Sequence, residues 1–79
     1  MPFSAIDELP VALQVSLPEE AQEIYCTAYN QAWDQYEDPN KRHGNGSREM
    51  AAHRKAWEAV QREFEQDVHG RWVRIYTRV

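Results

Sequence analysis

The chain has 79 residues, of which 42% are hydrophobic and 28% charged, and its net charge is −4. This length leaves room for one small core and excludes a second, and the composition excludes a disordered chain. The single cysteine, Cys26, excludes an intramolecular disulfide and a cysteine-based zinc site. We therefore expect one domain spanning residues 1–79.

The first ten residues, MPFSAIDELP, lack the basic segment and the apolar run of a signal peptide. No later stretch approaches the roughly 20 apolar residues that span a bilayer. A lone cysteine is also typical of a reducing compartment. The sequence therefore predicts a soluble, cytoplasmic protein without direct membrane insertion.

A short helix is predicted from about Leu9 or Pro10 to Ser16, with Asp7 as its cap. Three leucines would face the core from this segment: Leu9, Leu13 and Leu17.

The first long helix is predicted from about Pro18 to Glu37. Ser16 and Glu19 have the spacing of a capping box, and the run Asp38-Pro39-Asn40 ends the helix. Apolar residues recur every three or four positions, which is typical of a helix with one buried face. They are Ala21, Ile24, Tyr25, Ala28, Tyr29, Ala32, Trp33 and Tyr36.

A polar, glycine-containing loop at 39–46 leads to the second long helix, which starts at its predicted cap Ser47 and fades near 65–67. A short connection of this kind favours two antiparallel helices. The second helix carries its own apolar stripe, formed by Met50, His53, Trp57, Val60 and Phe64.

The C-terminal run 71–79 alternates with period two and is rich in β-branched and aromatic residues, which predicts a strand. A strand needs a partner, and we expect it to pair with residues 2–6. The predicted fold class is thus mainly α (α+β): two long antiparallel helices, a short N-terminal helix and a two-stranded β-ribbon joining the termini. The long helices would pack through Tyr25, Tyr29, Trp33, Trp57, Val60 and Phe64.

Residues 9–64 resemble the ChaB family, whose members are small bacterial and viral proteins. The resemblance lies in two Leu-Pro pairs, in AQEIYCTAYNQAWDQY at 21–36, in SRE at 47–49 and in AHRKAWEAVQREF at 52–64. Trp72 resembles a tryptophan often found near the end of family members. The resemblance implies a compact helical fold with a small ribbon, and it carries over no catalytic residue. It also implies regulation of a cation/proton antiporter, ChaA, after which the family is named. The alternating, basic end after Phe64 departs from the family pattern.

The residues themselves indicate no catalytic spacing, no metal site and no cofactor. His53 lies on an apolar stripe, and we expect it to be partly buried and bonded to a backbone group, Asp34 or Asn30; pH sensing is the alternative. For Asn30 and Asp34, one turn apart, we expect structural hydrogen bonds.

The candidate binding surface is the basic and aromatic face of the C-terminal strand. It comprises Trp72, Arg74, Tyr76 and Arg78, with Lys41, Arg42 and Arg48 in or beside the loop. Arginine and lysine neutralise phosphates and exposed rings stack on unpaired bases, so this surface could bind nucleic acid. The alternative is that the rings cover the helices and the arginines lie over them.

Charge is also divided along the chain. Residues 1–38 carry eight acidic and no basic residues, whereas 39–79 carry nine basic and five acidic ones.

Two hypotheses for the function follow from the sequence. The first is a non-enzymatic regulatory domain that docks onto a protein partner, such as a cation antiporter. The second is a small nucleic-acid-binding protein that uses the C-terminal strand. The sequence indicates no particular oligomeric state.

Overall fold

The computed structural model describes residues 2–38, 40 and 47–75. Its elements follow in this order: a 3-10 helix (Ile6–Glu8), helices α1 (Val11–Ser16), α2 (Glu19–Gln35) and α3 (Arg48–Glu63), and strands β1 (Phe64–Gln66) and β2 (Trp72–Arg74). The predicted mainly helical α+β fold is confirmed, with two long helices, a shorter N-terminal helix and a two-stranded antiparallel ribbon.

Helices α2 and α3 form the body of the molecule and run antiparallel. Arg48, at the start of α3, contacts Trp33 near the end of α2. Trp57, further along α3, contacts Tyr25, which lies earlier in α2. Contacts that progress in opposite directions along two helices require an antiparallel arrangement, as the short connection predicted.

The core lies between these two helices. Ala52 and Ala56 of α3 have no exposed surface, and their small side chains let the two backbones approach closely. The six predicted core residues all lie at this contact. Tyr25, Tyr29, Val60 and Phe64 are buried, and Trp33 and Trp57 are partly buried against them.

Helices α1 and α2 start from a repeated motif, Leu-Pro-x-x-x-Gln, at residues 9–14 and 17–22. In each copy the glutamine side chain donates a hydrogen bond to the carbonyl of the leucine before the proline. The distance is 2.6 Å from Gln14 to Leu9 and 2.8 Å from Gln22 to Leu17. Both leucines are buried, so each copy fixes the start of its helix against the core.

The predicted caps of these two helices are wrong. Pro10 and Pro18 occupy the N-cap positions, and no side chain caps either helix there. Proline fixes its own φ in a range compatible with a helix start, so the backbone rather than Asp7 or Ser16 sets where the helix begins. The cap of α3 is confirmed, because the Ser47 hydroxyl accepts a hydrogen bond from the backbone N–H of Met50 at 3.1 Å.

Within residues 2–38 and 47–75 the ribbon does not join the termini, so this part of the prediction is wrong: the strand Trp72–Arg74 pairs with Phe64–Gln66 and not with residues 2–6. The Asn30 side chain binds both backbone polar groups of Phe3, accepting from its N–H at 3.1 Å and donating to its carbonyl at 2.8 Å. A residue held in this way cannot form a strand ladder with the C-terminal segment. The expected structural role of Asn30 is confirmed, with the N-terminal segment as its partner.

The ribbon is instead a local hairpin that follows α3 directly. Helix α3 ends at Glu63, before the predicted 65–67, because Phe64 is already extended. Phe64 then pairs with Arg74, and Gln66 pairs with Trp72. A turn of a few residues costs far less loop-closure entropy than pairing the two ends of the chain.

The turn of the hairpin depends on an aspartate and a glycine. One carboxylate oxygen of Asp67 accepts from the backbone N–H groups of His69 and Arg71, at 2.8 and 3.0 Å. Gly70 has a φ of +80°, in the left-handed region that favours glycine. Within residues 2–38 and 47–75, no helix combines the length and the apolar character needed to cross a bilayer.

Replacing Asn30 by Ala is expected to lower the free energy of unfolding by about 1–3 kcal/mol, because two backbone groups of Phe3 lose their partner. The measurement is urea unfolding, with amide hydrogen exchange at Phe3 as a local probe. Gln31→Ala is the matched control, since Gln31 is exposed and should change stability by less than about 0.5 kcal/mol. Equal stability of the two variants would show that the N-terminal segment is not held by Asn30.

Candidate partner-binding groove

A groove of about 650 Å³ opens between the N-terminal segment and helix α3, with α2 as its floor. We call it the aromatic groove and define it by its apolar lining: Phe3, Pro10, Tyr25, Tyr29, Met50 and Trp57. Its polar lining includes Glu49, His53, Arg54, Glu58 and Gln61.

Aromatic rings continue from one end of this groove to the ribbon. Ring centroids are 5.0 Å apart for Phe3 and Tyr29, and 5.9 Å apart for Tyr29 and Tyr25. The series continues from Tyr25 to Trp57 at 5.9 Å and from Trp57 to Trp72 at 5.3 Å. These spacings are those of attractive ring pairs, so the series holds the N-terminal segment, both long helices and the ribbon together.

Two members of the predicted apolar stripe of α3 remain accessible above this floor. Met50 is 59% exposed, and His53 is also exposed. Trp57 is partly buried and Val60 and Phe64 are buried, so it is the first turns of the helix that leave apolar surface uncovered. A flexible methionine beside aromatic rings is a common feature of surfaces that adapt to a partner.

The expected hydrogen-bond partner of His53 is corrected by the structure. His53 Nδ1 lies 2.5 Å from the Tyr25 hydroxyl, so these two side chains share a hydrogen bond. Neither Asn30 nor Asp34 takes this role, because Asn30 is occupied by Phe3 and Asp34 is exposed. Burial, reinforced by the neighbouring Tyr29, raises the pKa of Tyr25 to about 12. The Tyr25 hydroxyl therefore keeps its proton at neutral pH and forms this hydrogen bond on the floor of the groove.

Cys26 is a buried residue of α2, and its sulfur lies 4.0 Å from the carbonyl oxygen of Phe3. Burial raises the pKa of its thiol, with a further contribution from Glu8, while a contact with Asn30 acts in the opposite direction. A protonated thiol is a weak nucleophile, so this residue has the properties of a core side chain. Within the described ranges, no cluster of three or more His, Cys, Asp or Glu side chains is arranged to hold a metal ion.

The predicted binding surface at the C-terminus is described only in part. Trp72, Arg74 and Arg48 lie within the described residues, whereas Lys41, Arg42, Tyr76 and Arg78 lie outside them. The nucleic-acid interpretation therefore stays a prediction for the full set.

The three described members of this set are engaged within the fold. Trp72 is partly buried against Trp57. The guanidinium of Arg48 lies 4.0 Å from the ring centroid of Trp33 and donates to the Trp33 carbonyl at 2.7 Å. These contacts correspond to the alternative in which the rings cover the helices.

Arg74 makes the most contacts of the three. Its guanidinium lies over the Phe64 ring at 4.8 Å and forms ion pairs with Glu20 and Glu63. The two carboxylates raise its pKa, with the hydrogen bond from Arg74 to Glu20 as the largest cause. These ion pairs attach the ribbon to Glu20 at the start of α2 and to Glu63 at the end of α3. Glu20 belongs to the acidic first half of the chain, whereas Arg74 and Glu63 belong to the second half.

The aromatic groove itself was not predicted. Tyr25, Tyr29 and Trp57 were predicted as core residues, where they lie, and Phe3 was not predicted to form the opposite wall. Two signals were present: an apolar residue, Met50, at the very start of α3, and an N-terminal segment too short to bury its own phenylalanine.

A family model described as ChaB matches residues 9–74. A relative from Escherichia coli strain K12, named "Putative cation transport regulator ChaB", is 42% identical over 72 residues, which cover 91% of this chain and 95% of that protein. A relative of the same name from Shigella flexneri has the same identity and coverage.

A solved structure also resembles this fold. It is described as "NMR solution structure of the putative cation transport regulator ChaB" and superposes with a TM-score of 0.78 at 39% sequence identity, covering 95% of this chain and all of that one. Sequence, family model and fold therefore agree over most of the chain, and this protein belongs to the ChaB family.

Proposed function

We propose that this protein is a non-enzymatic regulatory domain that binds a cation-transport protein, and that the aromatic groove is the surface that binds it. The observation that carries the proposal is the uncovered apolar surface at the start of α3, where Met50 is 59% exposed beside Tyr25 and Trp57. Aromatic residues and methionine are enriched at the centres of protein interfaces.

The non-enzymatic character is supported by the state of the two residues with the most reactive side chains. Cys26 is buried with a raised thiol pKa, and His53 is bonded to a tyrosine hydroxyl rather than to a nucleophile. Cation-transport regulation is the role named for the E. coli relative, which is 42% identical. Docking would take place on a cytoplasmic surface of the transporter, consistent with the lone cysteine.

A photo-crosslinking amino acid at position 50 tests this proposal in cells that express the protein. Position 68 is the matched control, because Val68 is 95% exposed and does not line the groove. We expect position 50 to crosslink a membrane protein that transports cations, identified by mass spectrometry, and position 68 to leave that protein unlabelled. Identical products at the two positions, or products without a transporter, would contradict the proposal.

A further inference from the structure

We propose that the aromatic groove binds a partner segment through an arginine or lysine side chain placed next to an apolar residue. This inference rests on the proposed function and specifies the chemistry of the segment that the groove recognises. Three features support it: the charge of the groove walls, the partly exposed rings of Phe3 and Trp57, and the contacts by which this chain already holds two of its own guanidinium groups.

The walls of the groove carry mainly negative charge. On α3, Glu49 and Glu58 face a single arginine, Arg54. Glu58 is also 3.9 Å from Lys55, but both side chains are about half exposed, and an exposed pair of this kind is weak. The opposite wall contributes Phe3 and Pro10, which are uncharged, so the charged lining of the groove comprises two carboxylates and one guanidinium. Such a surface favours a cationic segment and disfavours an acidic one or a nucleic acid.

The charge of Glu49 also reaches the floor of the groove. Burial, followed by the negative charge of Glu49, raises the pKa of Tyr29. Burial disfavours a charge of either sign, so only the contribution of Glu49 reflects negative potential, and that contribution reaches the Tyr29 ring.

This chain already binds two guanidinium groups with a ring and oxygen acceptors. Arg48 lies on Trp33 and donates to a backbone carbonyl, and Arg74 lies over Phe64 and donates to two carboxylates. The aromatic groove presents the same combination, with the partly exposed rings of Phe3 and Trp57 and the carboxylates of Glu49 and Glu58 in its lining. Cation–π attraction combined with a carboxylate acceptor suits Arg or Lys, while Met50 supplies an apolar contact for its neighbour.

The test is selection of a random dodecapeptide library on the full-length protein, followed by anisotropy titrations of the selected peptides. We expect the peptides to share an Arg or Lys beside a large apolar residue. The double variant Glu49→Gln/Glu58→Gln should weaken binding by about tenfold. Replacement of the peptide arginine by citrulline, which is uncharged and similar in shape, should have a comparable effect.

The matched control is Glu19→Gln/Glu65→Gln, which removes the same charge from two exposed residues outside the groove. It should leave the affinity within about twofold, since distant exposed charges are screened. Circular dichroism melting of each variant verifies that the fold is retained.

Three outcomes would overturn the inference: no selected peptide, selected peptides that are acidic or uncharged, or equal effects of the two double variants. Self-association of the wild type that is lost in Met50→Glu, seen by sedimentation velocity, would overturn it in favour of a second copy as occupant. Crosslinks from position 50 to a transporter separate failure of this inference from failure of the proposed function. If the crosslinks persist while the peptide test fails, only the inferred preference for a cationic segment is wrong. If the crosslinks are absent, the proposed function fails.

Discussion

Replacing Trp57 by Ala is expected to lower the free energy of unfolding by about 3 kcal/mol, the low end for truncating a large aromatic side chain, since Trp57 is only partly buried. Its ring contacts those of Tyr25, His53 and Trp72, at centroid distances of 5.9, 6.1 and 5.3 Å. The substitution therefore removes the ring contact with Tyr25 of α2 and the ring contact with Trp72 of the ribbon. A domain of this size has a total stability of roughly 4–12 kcal/mol, so the variant would lose a large fraction of it.

The measurement is urea unfolding followed by far-ultraviolet circular dichroism, with two matched variants. Trp57→Phe retains a ring against Tyr25 and should lose less stability than Trp57→Ala. Met50→Ala also removes a groove side chain from α3, but Met50 is 59% exposed, so its effect should stay near 0.5 kcal/mol or below. If Trp57→Ala unfolded at the same urea concentration as the wild type, the aromatic series would not hold the fold together.

The long helices were predictable because their patterns are local and repeated. Tyr25, Tyr29 and Val60 recur at helical spacing and are buried, whereas Met50 and His53 meet the same pattern at the start of α3 and are exposed. The antiparallel packing followed from the short connection. The predicted end of α3 differs from the observed end by only a few residues, because the helix stops at Glu63 where Phe64 becomes extended.

The ribbon pairing and the N-terminal anchor could not be predicted from such patterns. The strand character of residues around Trp72 was recognised, but a period of two does not name the partner strand. The deciding contacts are single hydrogen bonds over long sequence separation, above all Asn30 with Phe3, and an asparagine on a helix is not distinctive in sequence. The Leu-Pro-x-x-x-Gln repeat is local, but the expected side-chain caps are absent from both helices, whose first backbone hydrogen bonds go to the carbonyls of Pro10 and Pro18.

The aromatic groove could be predicted only in part. Its floor consists of core residues that the helical pattern identified, so Tyr25, Tyr29 and Trp57 were correctly placed without being recognised as a site. Its opposite wall depends on the Asn30–Phe3 contact, which the pattern missed. The prediction favoured the C-terminal basic residues, and Arg48 and Arg74 proved to be occupied by rings and acceptors of the same chain.

Alkaline pH should destabilise the fold through Tyr25. The ordinary pKa of a tyrosine is 10.0, and in the folded protein that of Tyr25 is about 12, because the side chain is only 2% exposed. Below pH 10 the phenol is protonated in both states, and its contribution to stability is complete. Between about pH 10 and pH 12 the unfolded chain loses this proton while the folded chain keeps it, so stability falls as pH rises.

Two pKa units correspond to about 2–3 kcal/mol, which is the expected loss in the free energy of unfolding across this window. The measurement is urea unfolding at intervals of pH, with the ultraviolet absorbance of tyrosinate as an independent record of ionisation. Tyr25→Phe is the matched control: it keeps the ring against Trp57 and Tyr29 and removes the ionisable hydroxyl. Its stability should therefore fall less steeply than that of the wild type. Parallel curves for the two proteins would contradict the burial of the Tyr25 hydroxyl in the folded protein.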